Sequence, residues 1–361
     1  MNGRIYGGWK EIRVLRSLEQ GADIFDLALT DRWGDDRLPV PIRAGTPGEL
    51  WLGDERIVTG YVDDAMPDYD DQTHTVRVEG RSKAGDLVDC SLAPEKGKPL
   101  QWSGRTLLQI AKDLAWRFGI EVSAEVDEGA AFTRVAMEPG QTVWEFLERL
   151  ARIRGVRIVS RPDGGLLITR AGTASYQTAL VLGQNILRAS GQFSSREQFS
   201  DYIVQGQVTG GSKTWDATSA EGSAHVSSQV SNAYVGRYRP TVVVLDETDG
   251  IADAKRRAEW QRNVAWGRGQ GVVYTVSGWT AGTEGLWHPN RLVRVEDAFM
   301  GINGDRLIMS VQFLLDGRGQ RTELRVMPRE AAELIPLPEP DTSDEGLLTW
   351  GMRKPKQGGA P

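Results

Sequence analysis

The chain has 361 residues, with 49 acidic and 43 basic side chains and a formal charge of −6. That length accommodates two to four modest domains, and the mildly acidic balance argues against a protein that coats nucleic acid or membranes. The lone cysteine, Cys90, excludes an intramolecular disulfide and a cysteine-built zinc cage, and no run approaches the roughly 20 apolar residues of a membrane span. The opening residues Met1-Asn2-Gly3-Arg4-Ile5-Tyr6 contain no apolar signal core, so no Sec export is expected. The 42 glycines and 12 tryptophans fit a strand-rich protein with many turns and large contact surfaces.

Residues 1–95 read as strands. Ile12 and Val14 begin one, and Phe25, Leu27 and Leu29 alternate along the next. Leu50-Trp51-Leu52, the turn Gly53-Asp54-Glu55 and residues 58–62 make a hairpin, and Val76 and Val78 alternate with polar neighbours in a further strand. An acidic loop, 63–71, is expected between the last two.

Residues 96–172 carry an internal repeat. Thr106-Leu107-Leu108-Gln109-Ile110 is echoed 36 positions later by Thr142-Val143-Trp144-Glu145-Phe146. Each copy opens on a capping box, Thr106 with Gln109 and Thr142 with Glu145. Leu107, Ile110, Leu114 and Phe118 share one helical face, as do Val143, Phe146, Leu147 and Leu150, and each helix stops at a glycine, Gly119 or Gly155. Strands follow at 121–126, at 156–160 and, through Pro162-Asp163-Gly164-Gly165, at 166–169. This is a small α/β module.

From 173 to 330 strand character returns, at 184–187 and 199–206. Residues 207–232 are rich in Ser, Thr, Gly and Ala and read as a long mobile insertion. A short strand at 242–245 and a charged helix at 249–266 follow. Four strands then run at 272–279, 291–296, 307–315 and 321–326. In the third, Leu307, Met309, Val311, Phe313 and Leu315 are expected on one side; in the fourth, Thr322, Leu324 and Val326 alternate with Arg321, Glu323 and Arg325. Residues 331–361 read as an extended, Pro-rich tail, interrupted by Leu347-Leu348-Thr349-Trp350.

Signals for chemistry are poor. His74, His225 and His288 lie far apart and have no partner at i+3 or i+4, so no catalytic, cofactor or metal site is assigned. Gly206 to Thr214 departs from a phosphate loop, because Ser212 precedes Lys213 and no apolar helix follows. The acidic run Asp63 to Asp71 lacks the order of a calcium loop, and a solvated hairpin loop fits it better. Lys255, Arg256, Arg257 and Arg262 are interrupted by Asp253 and Glu259, which favours an exposed helix with local ion pairs over a polyanion stripe.

Three blocks carry a family resemblance. Gly80-Arg81-Ser82 with Asp86-Leu87-Val88-Asp89-Cys90-Ser91, then Phe199-Ser200-x-Tyr202-x-Val204-x-Gly206-Gln207, then Val276-x-Gly278-Trp279, Gly285-Leu286-Trp287-x-Pro289-Asn290 and Arg294-Val295-Glu296-Asp297 resemble baseplate hub proteins of Mu-like contractile phage tails, relatives of the late-control D proteins. The resemblance implies an α+β, mainly β protein: two β-barrel-like, tail-tube-like domains around a small inserted α/β module. It implies a structural virion protein of the tail baseplate, assembled in the host cytoplasm, without enzymatic activity or cofactor. Its implied partners are itself as a homotrimer forming a pseudo-sixfold ring, the central membrane-piercing spike, the tail tube or tube initiator, and baseplate wedge proteins, with no membrane insertion and no specific nucleic-acid binding. A second resemblance is local. Pro139-Gly140-Gln141-Thr142-Val143-Trp144 with Leu150-Ala151 and Gly155-Val156 looks like the LysM pattern, with Gln141 in place of its aspartate, and implies the alternative of a cell-wall-binding tail protein or tail-associated peptidoglycan hydrolase.

Overall fold

The computed structural model describes residues 5–30, 42–71, 74–93, 100–209, 223–245 and 251–336. It is mainly β, as the alternating patterns require. At the N-terminal end, β1 (Glu11–Ser17) and β2 (Ile24–Thr30) pair antiparallel, followed by the hairpin β3 (Pro47–Leu52) and β4 (Glu55–Tyr69) and by β5 (His74–Ser82). The acidic segment is strand rather than loop as far as Tyr69, since Asp64 to Tyr69 pair with Glu79 to His74 of β5. At its start the guanidinium of Arg81 bridges the carboxylates of Asp63, at 2.7 Å, and Asp89, at 2.6 Å, and so offsets their charge.

A short helix, α1 (Gly85–Asp89), leads into the α/β module. Its elements are β6 (Gln101–Trp102), α2 (Leu107–Ala115), β7 (Val122–Ala124), β8 (Val135–Ala136), α3 (Val143–Arg154), β9 (Arg157–Ser160) and β10 (Leu166–Thr169). Both capping boxes are formed, with Thr106 and Thr142 each accepting from the backbone N–H three residues on. α2 tightens into a 3-10 turn before Gly119, while α3 runs to Gly155, and both glycines are left-handed. The apolar faces of the two helices, with Leu87 of α1 and Leu166 and Ile168 of β10, form a closed second core. The segment 80–91 therefore contributes to both the first strand region and this module.

Beyond the module come β11 (Leu180–Val181), β12 (Ile186–Phe193), β13 (Asp201–Thr209), β14 (Ser223–Ser231) and β15 (Pro240–Leu245). The expected mobile insertion at 207–232 is thus corrected at both ends. β13 and β14 pair from Asp201↔Ser231 to Thr209↔Ser223, and residues 210–222 lie outside the described set. The signal was thin but present: Val226 and Val230, four residues apart and on one strand face, stand among serines, and both are buried against α4 (Ile251–Arg268) with Tyr202 and Val204. α4 is correspondingly not an exposed helix throughout. Ala254, Arg257 and Ala258 are buried, and Arg257 donates to the carbonyl of Pro336 at 3.4 Å.

The chain closes with β16 (Gln270–Ser277), β17 (Leu292–Asp297), β18 (Ile302–Asp316) and β19 (Gly319–Met327). Thr322, Leu324 and Val326 alternate inward as expected. β18 differs from its expected single face. A bulge between Ile308 and Ser310 turns Leu307 and Met309 toward a small third core, whereas Ile308, Val311 and Phe313 enter the main one.

The two strand-rich regions share one sheet. β1 pairs with β18 from Ile12↔Leu315 to Ser17↔Ser310, so the order runs β12-β16-β19-β18-β1-β2-β5-β4-β3, with β17 and β11 branching from β18. Glycine permits the close crossings: a β-carbon on Gly60 would lie 1.9 Å from the carbonyl oxygen of Arg81.

Candidate assembly surfaces and the polar junction

Residues 285–290 form the centre of the molecule's tertiary organisation. Trp287 is fully buried, edge-on to Tyr176 with ring centroids 4.8 Å apart. The Tyr176 hydroxyl donates to the carbonyl of Leu286 at 3.0 Å and accepts from the backbone N–H of His288 at 2.8 Å. Asn290 is left-handed, with φ 66°. Its amide oxygen accepts from Gly172 N–H at 2.8 Å and its amide nitrogen donates to the carbonyl of Arg170 at 2.9 Å. The turn therefore pins the linker from the α/β module onto the main sheet.

His288 joins this turn to the N-terminal strands. Its Nδ1 lies 3.2 Å from Arg16 Nη1 and its Nε2 lies 2.9 Å from Glu55 Oε1. Arg16 also donates through Nε to Asp23 Oδ2 at 3.1 Å, and both members of that pair are buried. Asp23 N–H donates to the hydroxyl of Ser82, which Ser160 of the module reaches at 3.0 Å. Burial raises the Asp23 carboxyl above its ordinary range against the opposing pull of Arg16. Burial, and then the neighbouring Arg16, lowers the His288 imidazole. A second buried pair, Tyr274 with Asp297 at 3.1 Å, raises the phenol through burial and the nearby carboxylate.

Each carboxylate of this cluster already has a partner: Arg16 for Asp23, the His288 imidazole for Glu55 and the Tyr274 hydroxyl for Asp297. Among the described residues no group of three His, Cys, Asp or Glu side chains is placed to hold a metal. His74 and His225 fall in strands β5 and β14, and their side chains lie outside the described set, as do residues 210–214 of the loop weighed above. Of the basic residues weighed on α4, Lys255 and Arg256 are exposed while Arg257 points inward, so they form no single stripe. Trp144 of the LysM-like segment packs against Gly21, where a β-carbon would come within 2.7 Å of its ring, and thus serves an internal contact.

Among the described residues, both ends of the main sheet carry exposed apolar side chains. β12 ends the main sheet with Leu187 and Phe193 exposed, and β3 ends it on the other side with Trp51 exposed. Bulges at Ile186/Arg188 and Leu50/Trp51 interrupt the pairing of these edge strands with their neighbours. Of the described tryptophans only Trp287 is fully buried; Trp51 and Trp116 are exposed. The sequence sets Trp51 in a hairpin and Trp287 in the 285–290 motif, and neither pattern tells which of the two is buried.

The fold, a long sheet with an inserted α/β module, is that of solved phage-type tail proteins. The E. coli c3393 protein, described as a component of the type VI secretion system with structural similarity to T4 tail proteins gp27 and gp5, shares the fold at TM-score 0.54 and 12% identity, over 92% of this chain and 77% of its own. The 43 kDa tail protein of prophage MuSo2 from Shewanella oneidensis is nearer, at TM-score 0.80 and 36% identity over 92% of this chain and 98% of its own. Family models match at residues 1–82 (Mu phage baseplate assembly protein GpP-like, N-terminal), 84–170 (baseplate hub protein gp44-like, second domain) and 250–334 (Mu phage baseplate assembly protein GpP, fourth domain). Baseplate hub protein gp44 of Escherichia phage Mu is 30% identical over 344 residues, 93% of this chain and 88% of its own. The chain belongs to the family of Mu-type baseplate hub proteins and is a component of the phage tail.

Proposed function

We propose that this chain is the central hub of a contractile-tail baseplate, a homotrimer whose ring joins the tail tube or its initiator above to the membrane-piercing spike below, with wedge proteins around it. The observation that carries this reading is the relationship to the Mu hub protein along nearly the whole chain. The sheet adds a physical argument. Pairing of β1 with β18 places the two strand-rich regions side by side in one sheet, so three copies would present six such units and match a sixfold tube. Leu187 and Phe193 at one end of that sheet and Trp51 at the other offer apolar anchors that a neighbouring copy would shield. The role is architectural, without catalysis: the relatives are named as baseplate hub and tail proteins, and the titratable groups described above are engaged in structure.

Native mass spectrometry or sedimentation at tens of micromolar, alone and with the cognate spike, tests the reading. A trimer in either sample is expected. Monomer in both would remove the ring. A peptidoglycan gel assay run beside it should show no lysis; clearing abolished by one Glu or Asp substitution would establish a hydrolase instead.

A further inference from the structure

The geometry at His288 fixes its protonation state. A guanidinium only donates hydrogen bonds, so Nδ1 facing Arg16 must present its lone pair, and Nε2 carries the proton donated to Glu55. The neutral ring is thus a two-sided connector between β1, β4 and the 285–290 turn. A proton added to Nδ1 leaves two donors facing each other and places two cations in contact.

We propose that the 285–290 turn is an acid-sensitive latch, in which protonation of His288 breaks its bond to Arg16 and releases the turn from β1, while Glu55 of β4 keeps its hold on His288 and on the backbone N–H of Leu286. Every charged or titratable group around it bears on this outcome. Arg16 from β1 and Arg291, just before β17, oppose an imidazolium, while Glu55 from β4 favours it. Asp23 is committed to Arg16 Nε, and Tyr176, whose phenol burial raises, stays neutral under Arg291, which stacks 3.9 Å above its ring. Glu284 accepts from the N–H groups of Gln177 and Thr178. A cleft of about 690 Å³ lies beside the ring, and Glu125, Arg161, Arg170 and Arg329 also line it.

The direction follows from linkage. The imidazole sits below its ordinary value of 6.5 in the closed state, so the opened state binds the proton more readily. Latch stability is full above that value and is lost as pH falls from it toward the depressed one. Asp23 has the opposite sign: its raised carboxyl gains stability on protonation, so it cannot produce a loss in the same window.

Hydrogen–deuterium exchange of the full chain between pH 7.5 and 5, corrected for intrinsic rates, tests the proposal. In the wild type, exchange across 285–290 should rise by up to about tenfold for each unit of pH below the ordinary histidine value. His288→Gln, whose amide can accept from Arg16 and donate to Glu55 without titrating, should hold that exchange constant. Equal pH dependence in both proteins would overturn the latch. Should His288→Gln fail to fold, nitrogen-15 imidazole spectra of the wild type decide, with His74→Gln and His225→Gln assigning the signals. An Nε2–H tautomer at pH 7.5 is expected, and an Nδ1–H tautomer would overturn the proposal.

Discussion

The α/β module and the eleven-stranded sheet bury their apolar surfaces over very different sequence distances. In the module, helices 36 residues apart in phase pack on each other and on strands that follow directly, so almost every contact in the second core lies within residues 84–168. In the sheet, Ile12 faces Leu315 and Val14 faces Phe313 across almost the whole chain. The module is therefore a unit its own local sequence specifies, while the sheet exists only once both ends of the chain have met. The cost of closing so long a loop falls on the sheet alone. Local perturbations should stay local in the first and spread in the second.

The largest test of that contrast is Phe146→Ala. Phe146 is fully buried, 5.4 Å from the ring of Trp102 and beneath Arg149. Its truncation should cost about 4 kcal/mol in chemical denaturation, with faster amide exchange in α2 and α3 and little change in β1 or β18. Equal acceleration in the sheet would break the comparison. Gly60→Ala should come next, at about 3 kcal/mol, because the added carbon meets the backbone of β5 rather than a movable side chain. Here exchange should rise through β4, β5, β2 and β1 together; an effect confined to β4 would show that the sheet is not cooperative.

The two caps sharpen the comparison within the module. Thr106→Ala and Thr142→Ala each remove an acceptor for a first-turn N–H and should each cost about 1 kcal/mol by thermal or chemical denaturation. Near-equal values are expected from the shared capping box; a cost several-fold larger at Thr142 would mean that α3, whose closing Gly155 abuts Pro336, carries tertiary strain that α2 does not. The smallest effect belongs to Arg77→Ala. Its pair with Asp26 at 2.6 Å stands on the open face of β5, and the loss should stay below about 0.5 kcal/mol, diminishing further in salt.

Much of the fold was legible because its causes are local. Thr106 with Gln109, Thr142 with Glu145 and the glycines 119 and 155 mark two helices from residues three or four apart, and all of these contacts form. Alternation likewise placed β1, β2, β5 and β19. It failed where a neighbour, not the strand itself, set the outcome. Asp64 to Tyr69 are strand because β5 supplies partners, and Arg81 offsets the charge of Asp63 beside them; neither cause lies within the acidic run. Serine-rich β14 holds its place through two valines buried on α4. The bulge in β18 sends Met309 and Val311 to different cores, which a strict period of two does not foresee. For the candidate surfaces, tryptophan count pointed to contact area without separating buried Trp287 from exposed Trp51.

The sequence by itself determined β1, β2, β5 and β19, the two capped helices and the membership in a hub family, since capping, amphipathic spacing and motif residues act through neighbours along the chain. Tertiary structure alone decided that β1 and β18 lie side by side, which edges remain open, and that His288 stands between Arg16 and Glu55. Those outcomes depend on distances in space between residues as far apart in the chain as Ile12 and Leu315, and a hydrogen-bonding edge or an imidazole carries no mark in the sequence of the partner it will meet.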